Sequence, residues 1–138
     1  MPYTVAKVLV PSNHEAMICL ADLGSNLVAG EGWDHRIRLY FQDVDSDTPG
    51  SFTRWHANSI YLFLNELPKE IDTIYVHCFA GVSRSAAVTK YIAERYNIEE
   101  ALEEFRSYTL YNKRIYRILR NNCPVLGPVP TDYSNVGS

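Results

Sequence analysis

Apolar residues follow two rhythms along this chain. Blocks of four or five, rich in β-branched, aromatic and aliphatic side chains, stand before small or polar breakers at Lys7–Val10, Ala16–Leu20, Ile37–Phe41 and Thr73–Val76. Blocks of that length predict buried strands. Elsewhere apolar positions recur every three or four residues, the period of a helix with one buried face. Phe52–Leu67 sets Trp55, Ile60, Phe63, Leu64 and Leu67 inward and stops at Pro68; Ala86–Arg95 carries Val88 and Ile92. Ile98–Phe105 packs Ile98, Leu102 and Phe105, and Asn112–Leu119 buries Ile115, Ile118 and Leu119 while turning its bases outward, part of the cluster Lys113, Arg114, Arg117 and Arg120 within Tyr111–Asn121. Pro11–His14 reads as a turn and Asp22–Gly32 as a loop. Strands alternating with helices imply an α/β fold: a single domain whose central, mainly parallel sheet is flanked by helices on both faces, with ligands bound beyond the strands' carboxyl ends. The 138 residues suit one core. That domain is expected over residues 1–122, with 123–138, proline-rich and then polar, as an extended tail.

One junction carries chemistry. The strand at Thr73–Val76 runs into His77, Cys78, Phe79, Ala80, Gly81, Val82, Ser83, Arg84 and Ser85, and then into a helix. A loop feeding a helix N-terminus presents unpaired N–H groups and the positive end of the helix dipole, a natural seat for a phosphate. This predicts a phosphate-binding loop between strand and helix, lined by Phe79, Ala80, Gly81, Val82, Ser83 and Arg84, with Gly81 free to curl. A cysteine at its mouth loses its proton more readily than a free thiol, and the thiolate is the nucleophile. Arg84 offers a planar fork able to grip two phosphoryl oxygens, which a lysine lacks. Ser85 is placed to donate to the sulfur, and His77 to anchor the loop and add positive potential. The structural alternative, a buried cysteine near a surface arginine, accounts for Cys78 and Arg84 alone but not for the whole run.

Charge and cysteine usage narrow the classes. A net charge of −3 gives no electrostatic footprint for nucleic acid. No apolar stretch approaches a membrane span, and no leader sequence is recognised. Three cysteines, an odd number, argue against a disulfide framework and for a reducing, cytoplasmic location. Cys19 is expected in the core, and Cys123 follows the last helix. His14, His35 and His56 show no metal-ligand spacing with the cysteines, so neither metal nor other cofactor is expected. Trp33 and Trp55 are expected in the core, Trp33 being the better candidate for lining a pocket, and Tyr108, Tyr111 and Tyr116 pack around helix joints.

The run H-C-x-x-G-x-x-R-S at residues 77–85 resembles the signature of the cysteine-dependent protein tyrosine phosphatase superfamily. More than half the chain precedes Cys78, a layout similar to the compact dual-specificity branch and its small bacterial or phage-type relatives; the resemblance covers about Arg36 to Leu119. It implies hydrolysis of phosphotyrosine in a protein or peptide through a phosphocysteine, with Cys78 attacking, Arg84 and residues 79–83 holding the phosphoryl group, and Ser85 assisting hydrolysis. A short chain implies a shallow pocket, open to phosphoserine and phosphothreonine as well. The family also uses an upstream aspartate as general acid. Three candidates stand 35, 33 and 31 positions ahead of Cys78: Asp43, Asp45 and Asp47. The run Phe41-Gln42-Asp43-Val44 after an apolar strand favours Asp43, the distance back from Pro49 favours Asp45, and the interval common among dual-specificity enzymes favours Asp47. Competing readings are a phosphatase of phosphoinositides or RNA 5′-triphosphates, against which the loop's lack of lysine counts, a rhodanese-type sulfur transferase, against which Arg84-Ser85 counts, and a phosphate-binding pseudophosphatase, which requires that no acid be in place.

Overall fold

The computed structural model describes residues 14–25 and 32–121. Along them run β1 (Glu15–Ala21), β2 (Arg36–Tyr40), α1 (Arg54–Asn65), β3 (Thr73–His77), α2 (Arg84–Tyr96), α3 (Glu99–Glu104) and α4 (Lys113–Asn121). The expected strand Lys7–Val10, part of the loop expected over Asp22–Gly32, Cys123 and the expected tail lie outside the described residues.

The three strands form a parallel sheet in the order β2-β1-β3. Ile18 pairs with Ile37 on one side and Val76 on the other, and Cys19 with Arg38 and His77. Side chains alternate along a strand, so Ile18, Leu20, Leu39 and Val76 share one face. Against it pack Ala57, Ile60, Tyr61 and Leu64 of α1, Ala87, Val88, Tyr91 and Ile92 of α2, and Ile115 and Leu119 of α4. Burying each larger apolar side chain contributes roughly 1.5–3 kcal/mol, so this layer fixes where the helices sit. On the second face Met17, Cys19 and His77 are also buried, and Trp33 stands edge-on to Tyr75 with ring centroids 5.8 Å apart. The chain is a small α/β domain. Among the described residues no helix is long and apolar enough to cross a membrane.

Parallel strands bring their carboxyl ends to one edge, where the segments following β1, β2 and β3 emerge side by side. Phe41 N–H donates to Ala21 O at 2.9 Å, carrying the pairing of β1 and β2 one step past the strands. Asp22, Asp43 and Cys78 therefore meet at one rim although they are far apart in sequence.

Three expectations about the helices are corrected. Trp55 is 68% exposed, not inward, because the buried set Ala57, Ile60, Tyr61 and Leu64 occupies the opposite side of α1. Ile98 is exposed because it precedes the first turn of α3 and does not join a packed face. The bases of α4 are not a uniformly solvated face. Arg114 donates to Phe52 O through Nε at 3.2 Å and Nη2 at 3.0 Å, and Arg120 donates to Glu94 at 2.7 Å. Glu94 also accepts Tyr116 Oη–H and pairs with Lys90, whose ammonium lies over the Tyr116, Tyr111 and Phe105 rings at 4.9, 5.4 and 5.5 Å. These contacts bind α4 to α2 and to the segment after β2.

Candidate active site

Beyond His77 the chain leaves β3 and curls back on the sulfur of Cys78. Gly81 adopts a φ of 77°, a conformation open to glycine at little cost, and its N–H donates to Cys78 Sγ at 3.2 Å. Ser85 N–H, in the first turn of α2, donates to the same atom at 3.4 Å, and Ser85 Oγ lies 3.3 Å from it, able to donate once the sulfur is ionised. Cys78 is 2% exposed. Burial raises a thiol's pKa, but here the hydrogen bonds from the Ser85 hydroxyl, Ser85 N–H and Gly81 N–H, with the charge of Arg84, outweigh it and hold the Cys78 thiol below its ordinary value. Cys19 is the internal contrast. There burial prevails over the charges of Arg38 and Arg36, and the thiol is pushed up to about 11.

His77 corrects one expectation. Burial pushes its pKa down to about 4, against the hydrogen bond it makes at the Cys78 backbone, and the positive charge of Arg84 lowers it further. At neutral pH the ring is uncharged and adds no positive potential. An unfolded histidine titrates near 6.5, so the unfolded chain takes up the proton first as pH falls. The stability contributed by neutral His77 is thus fully present above pH 6.5 and is lost as pH falls through 4, by about 3 kcal/mol at most. Urea melts across that window should show a flatter pH dependence for His77→Gln than for the wild type; identical slopes would refute a buried neutral ring.

Arg84 is 5% exposed and reaches across the rim. Its Nη1 donates to Asp22 Oδ1 at 2.8 Å and to Phe41 O at 2.9 Å, so the segments after β1 and β2 both hold it. Its Nε is buried and has no hydrogen-bond partner among the described residues. A buried guanidinium N–H left unpaired is costly, and an anion seated in the loop would satisfy it.

The loop after β2 carries the three acidic candidates, and the structure separates them. Its neck is closed by Gln42 N–H donating to Gly50 O at 2.8 Å. Gly50 has a φ of 88°, a backbone conformation that favours glycine, whereas the Leu23 Cδ1 that a Cβ would approach to 2.9 Å ends an exposed side chain free to swing away. Asp43 Oδ1 accepts from Ser83 Oγ at 2.9 Å and from Asn112 Nδ2 at 2.8 Å, which ties it to the Cys78 loop. Asp45 instead accepts from Arg114 N–H at 2.9 Å, at the N-terminus of α4. Asp47 is an exposed carboxylate 3.5 Å from Arg114 Nη2. Asp43 thus bonds to the segment from Cys78 to Arg84, whereas Asp45 and Asp47 face Arg114.

No family model, no curated protein and no solved structure matches this chain.

The structure gathers the expected residues Cys78, Gly81, Ser83, Arg84, Ser85 and Asp43, with Phe79 and Val82 exposed at the loop's outer surface. It leaves Asp45 and Asp47 against Arg114 at the start of α4. Two site residues escaped sequence reasoning. Asp22 carried a usable signal, since it directly follows a strand whose end lies on the same edge. Asn112 carried another, an amide immediately before an amphipathic helix, where a cap is favoured.

Proposed function

We propose that this chain is a cysteine-dependent phosphatase of the compact dual-specificity-like kind, hydrolysing phosphotyrosine in proteins or peptides through a phosphocysteine. The observation that carries the reading is the convergence of three donors on a buried sulfur of depressed pKa, beside an arginine whose buried Nε lacks a partner among the described residues. Residues 78–84 are taken as the phosphate-binding loop. In the first step Cys78 Sγ attacks phosphorus, the bond from phosphorus to the ester oxygen breaks, and that oxygen takes the proton of Asp43. In the second step Asp43, now a carboxylate, takes a proton from water as the water oxygen attacks phosphorus. The phosphorus–sulfur bond breaks, the Ser85 hydroxyl stabilises the departing thiolate, and inorganic phosphate leaves. Arg84 and the loop amides follow the phosphoryl oxygens throughout.

Phe79, 59% exposed next to the nucleophile, and Val82 offer apolar surface to an aromatic leaving group. No lysine lies between residues 79 and 83, which weighs against polyanions such as phosphoinositides or RNA 5′-triphosphates. Phosphoserine and phosphothreonine are secondary substrates in this reading. The same reading takes the sheet as covered by helices on both faces and places the protein in the reducing cytoplasm, where a thiolate nucleophile persists. Hydrolysis of phenyl phosphate and a phosphotyrosine peptide, with acid-quenched mass spectrometry finding phosphate on Cys78, is the expected result. Failure to hydrolyse any aryl phosphate would overturn it.

A further inference from the structure

We propose that Asn112 is a positioning residue that locks the acid-bearing loop to the phosphate loop and fixes which oxygen of Asp43 carries the proton. The proposal rests on the phosphatase reading above. Asn112 is 6% exposed, and its hydrogen-bonding groups reach three separate parts of the chain. Its Nδ2 donates to Asp43 Oδ1 at 2.8 Å and to Val44 O at 3.1 Å, spending both amide hydrogens on the loop after β2. Its backbone N–H donates to Ser83 O at 3.1 Å, on the phosphate loop. Its Oδ1 accepts from Ile115 N–H at 3.0 Å, capping α4. Ser83 completes the clamp from the other side, with its Oγ donating to the same Asp43 oxygen at 2.9 Å.

Two donors on Oδ1 leave Oδ2 as the oxygen that can hold a proton. The clamp thereby makes Oδ2 the atom that protonates the leaving group and keeps the carboxyl group from turning over. Asn112 itself touches no reacting atom in this scheme; it acts through Asp43. A merely structural cap would behave otherwise, and serine separates the two roles. Ser at position 112 retains an oxygen suited to capping α4 but is too short to reach Asp43.

The test compares kcat/KM for wild type, Asn112→Ser, Asp43→Asn and the double variant over aryl phosphates of graded leaving-group basicity. Asn112→Ser is expected to lose about 10-fold to 100-fold with phenyl phosphate and at most a few-fold with a dinitrophenyl phosphate, whose leaving group needs little protonation. The double variant should be no slower than Asp43→Asn alone, since the clamp has no further role once the acid is gone. A loss equal across all leaving groups, a strictly multiplicative double variant, or no loss at all would each overturn the proposal while leaving an active wild type to uphold the phosphatase reading. An inactive wild type would sink both, and thermal melts of Asn112→Ser identify a loss due to unfolding, which would assign the residue to the cap alone.

Discussion

Cys78→Ser is expected to abolish turnover of aryl phosphates, by on the order of 10⁵-fold or more, while the loop still binds an anion. The asymmetry follows from what surrounds the sulfur. Gly81 N–H, Ser85 N–H and Ser85 Oγ–H converge on one point, and such donors favour a negative charge there whichever atom occupies it. A thiol brought below its ordinary pKa supplies that charge as a thiolate; a serine hydroxyl at neutral pH does not. The loop amides and Arg84, by contrast, are untouched by the change. Binding of vanadate or of a phosphotyrosine peptide, read by calorimetry, should therefore persist within about 10-fold in Cys78→Ser as kcat vanishes. Arg84→Lys should instead impair both, weakening anion binding as well as costing roughly 10³-fold in rate, because an ammonium cannot replace the fork that Asp22 and Phe41 O hold in place. Iodoacetate near pH 7 should modify Cys78 and spare Cys19, whose thiol stays protonated to about 11. Residual turnover by Cys78→Ser, or an alkylation midpoint for Cys78 no lower than that of an ordinary thiol, would remove the covalent step.

The parts of this site that could be read from the sequence are those made by neighbours. Cys78, Gly81, Arg84 and Ser85 lie within eight consecutive residues, and a strand running into a helix suffices to fold them round one centre. The strand blocks were legible for the same reason: Ala16–Leu20 and Thr73–Val76 fall within β1 and β3, because an apolar run that short has few other ways to be buried. What lay hidden depends on long-range contacts. Choosing among Asp43, Asp45 and Asp47 needed the position of α4, since it is Asn112 and Arg114, some seventy residues downstream, that sort the three carboxylates. The charge of His77 could not be read because composition does not reveal desolvation; only its place on a buried strand end does. Trp55 misled because its size suggested burial while its phase along α1 put it outside.

Asp43→Asn is expected to lower kcat for phenyl phosphate by about 10²–10³-fold, whereas Asp45→Asn and Asp47→Asn should stay within about threefold of wild type. Each carboxylate's partners argue for that ordering. Asp43 is bonded to Ser83, the residue before Arg84, so its carboxyl group is fixed beside the loop that would hold the phosphoryl group. Asp45 accepts from Arg114 N–H at the start of α4, a role an asparagine oxygen can also fill, so its loss should cost at most about 1 kcal/mol in stability. Asp47 makes one long, exposed ion pair, and such pairs contribute about 0–1 kcal/mol. The pH–rate profile gives an independent reading. A general acid must be protonated when the leaving group departs, so the wild-type rate should fall on the alkaline side as that proton is lost, and in Asp43→Asn this fall should disappear. Should Asp45→Asn lose the alkaline limb and Asp43→Asn keep it, the loop after β2 would have to turn over when substrate binds, carrying Asp45 away from α4 and into the place that Ser83 and Asn112 now reserve for Asp43.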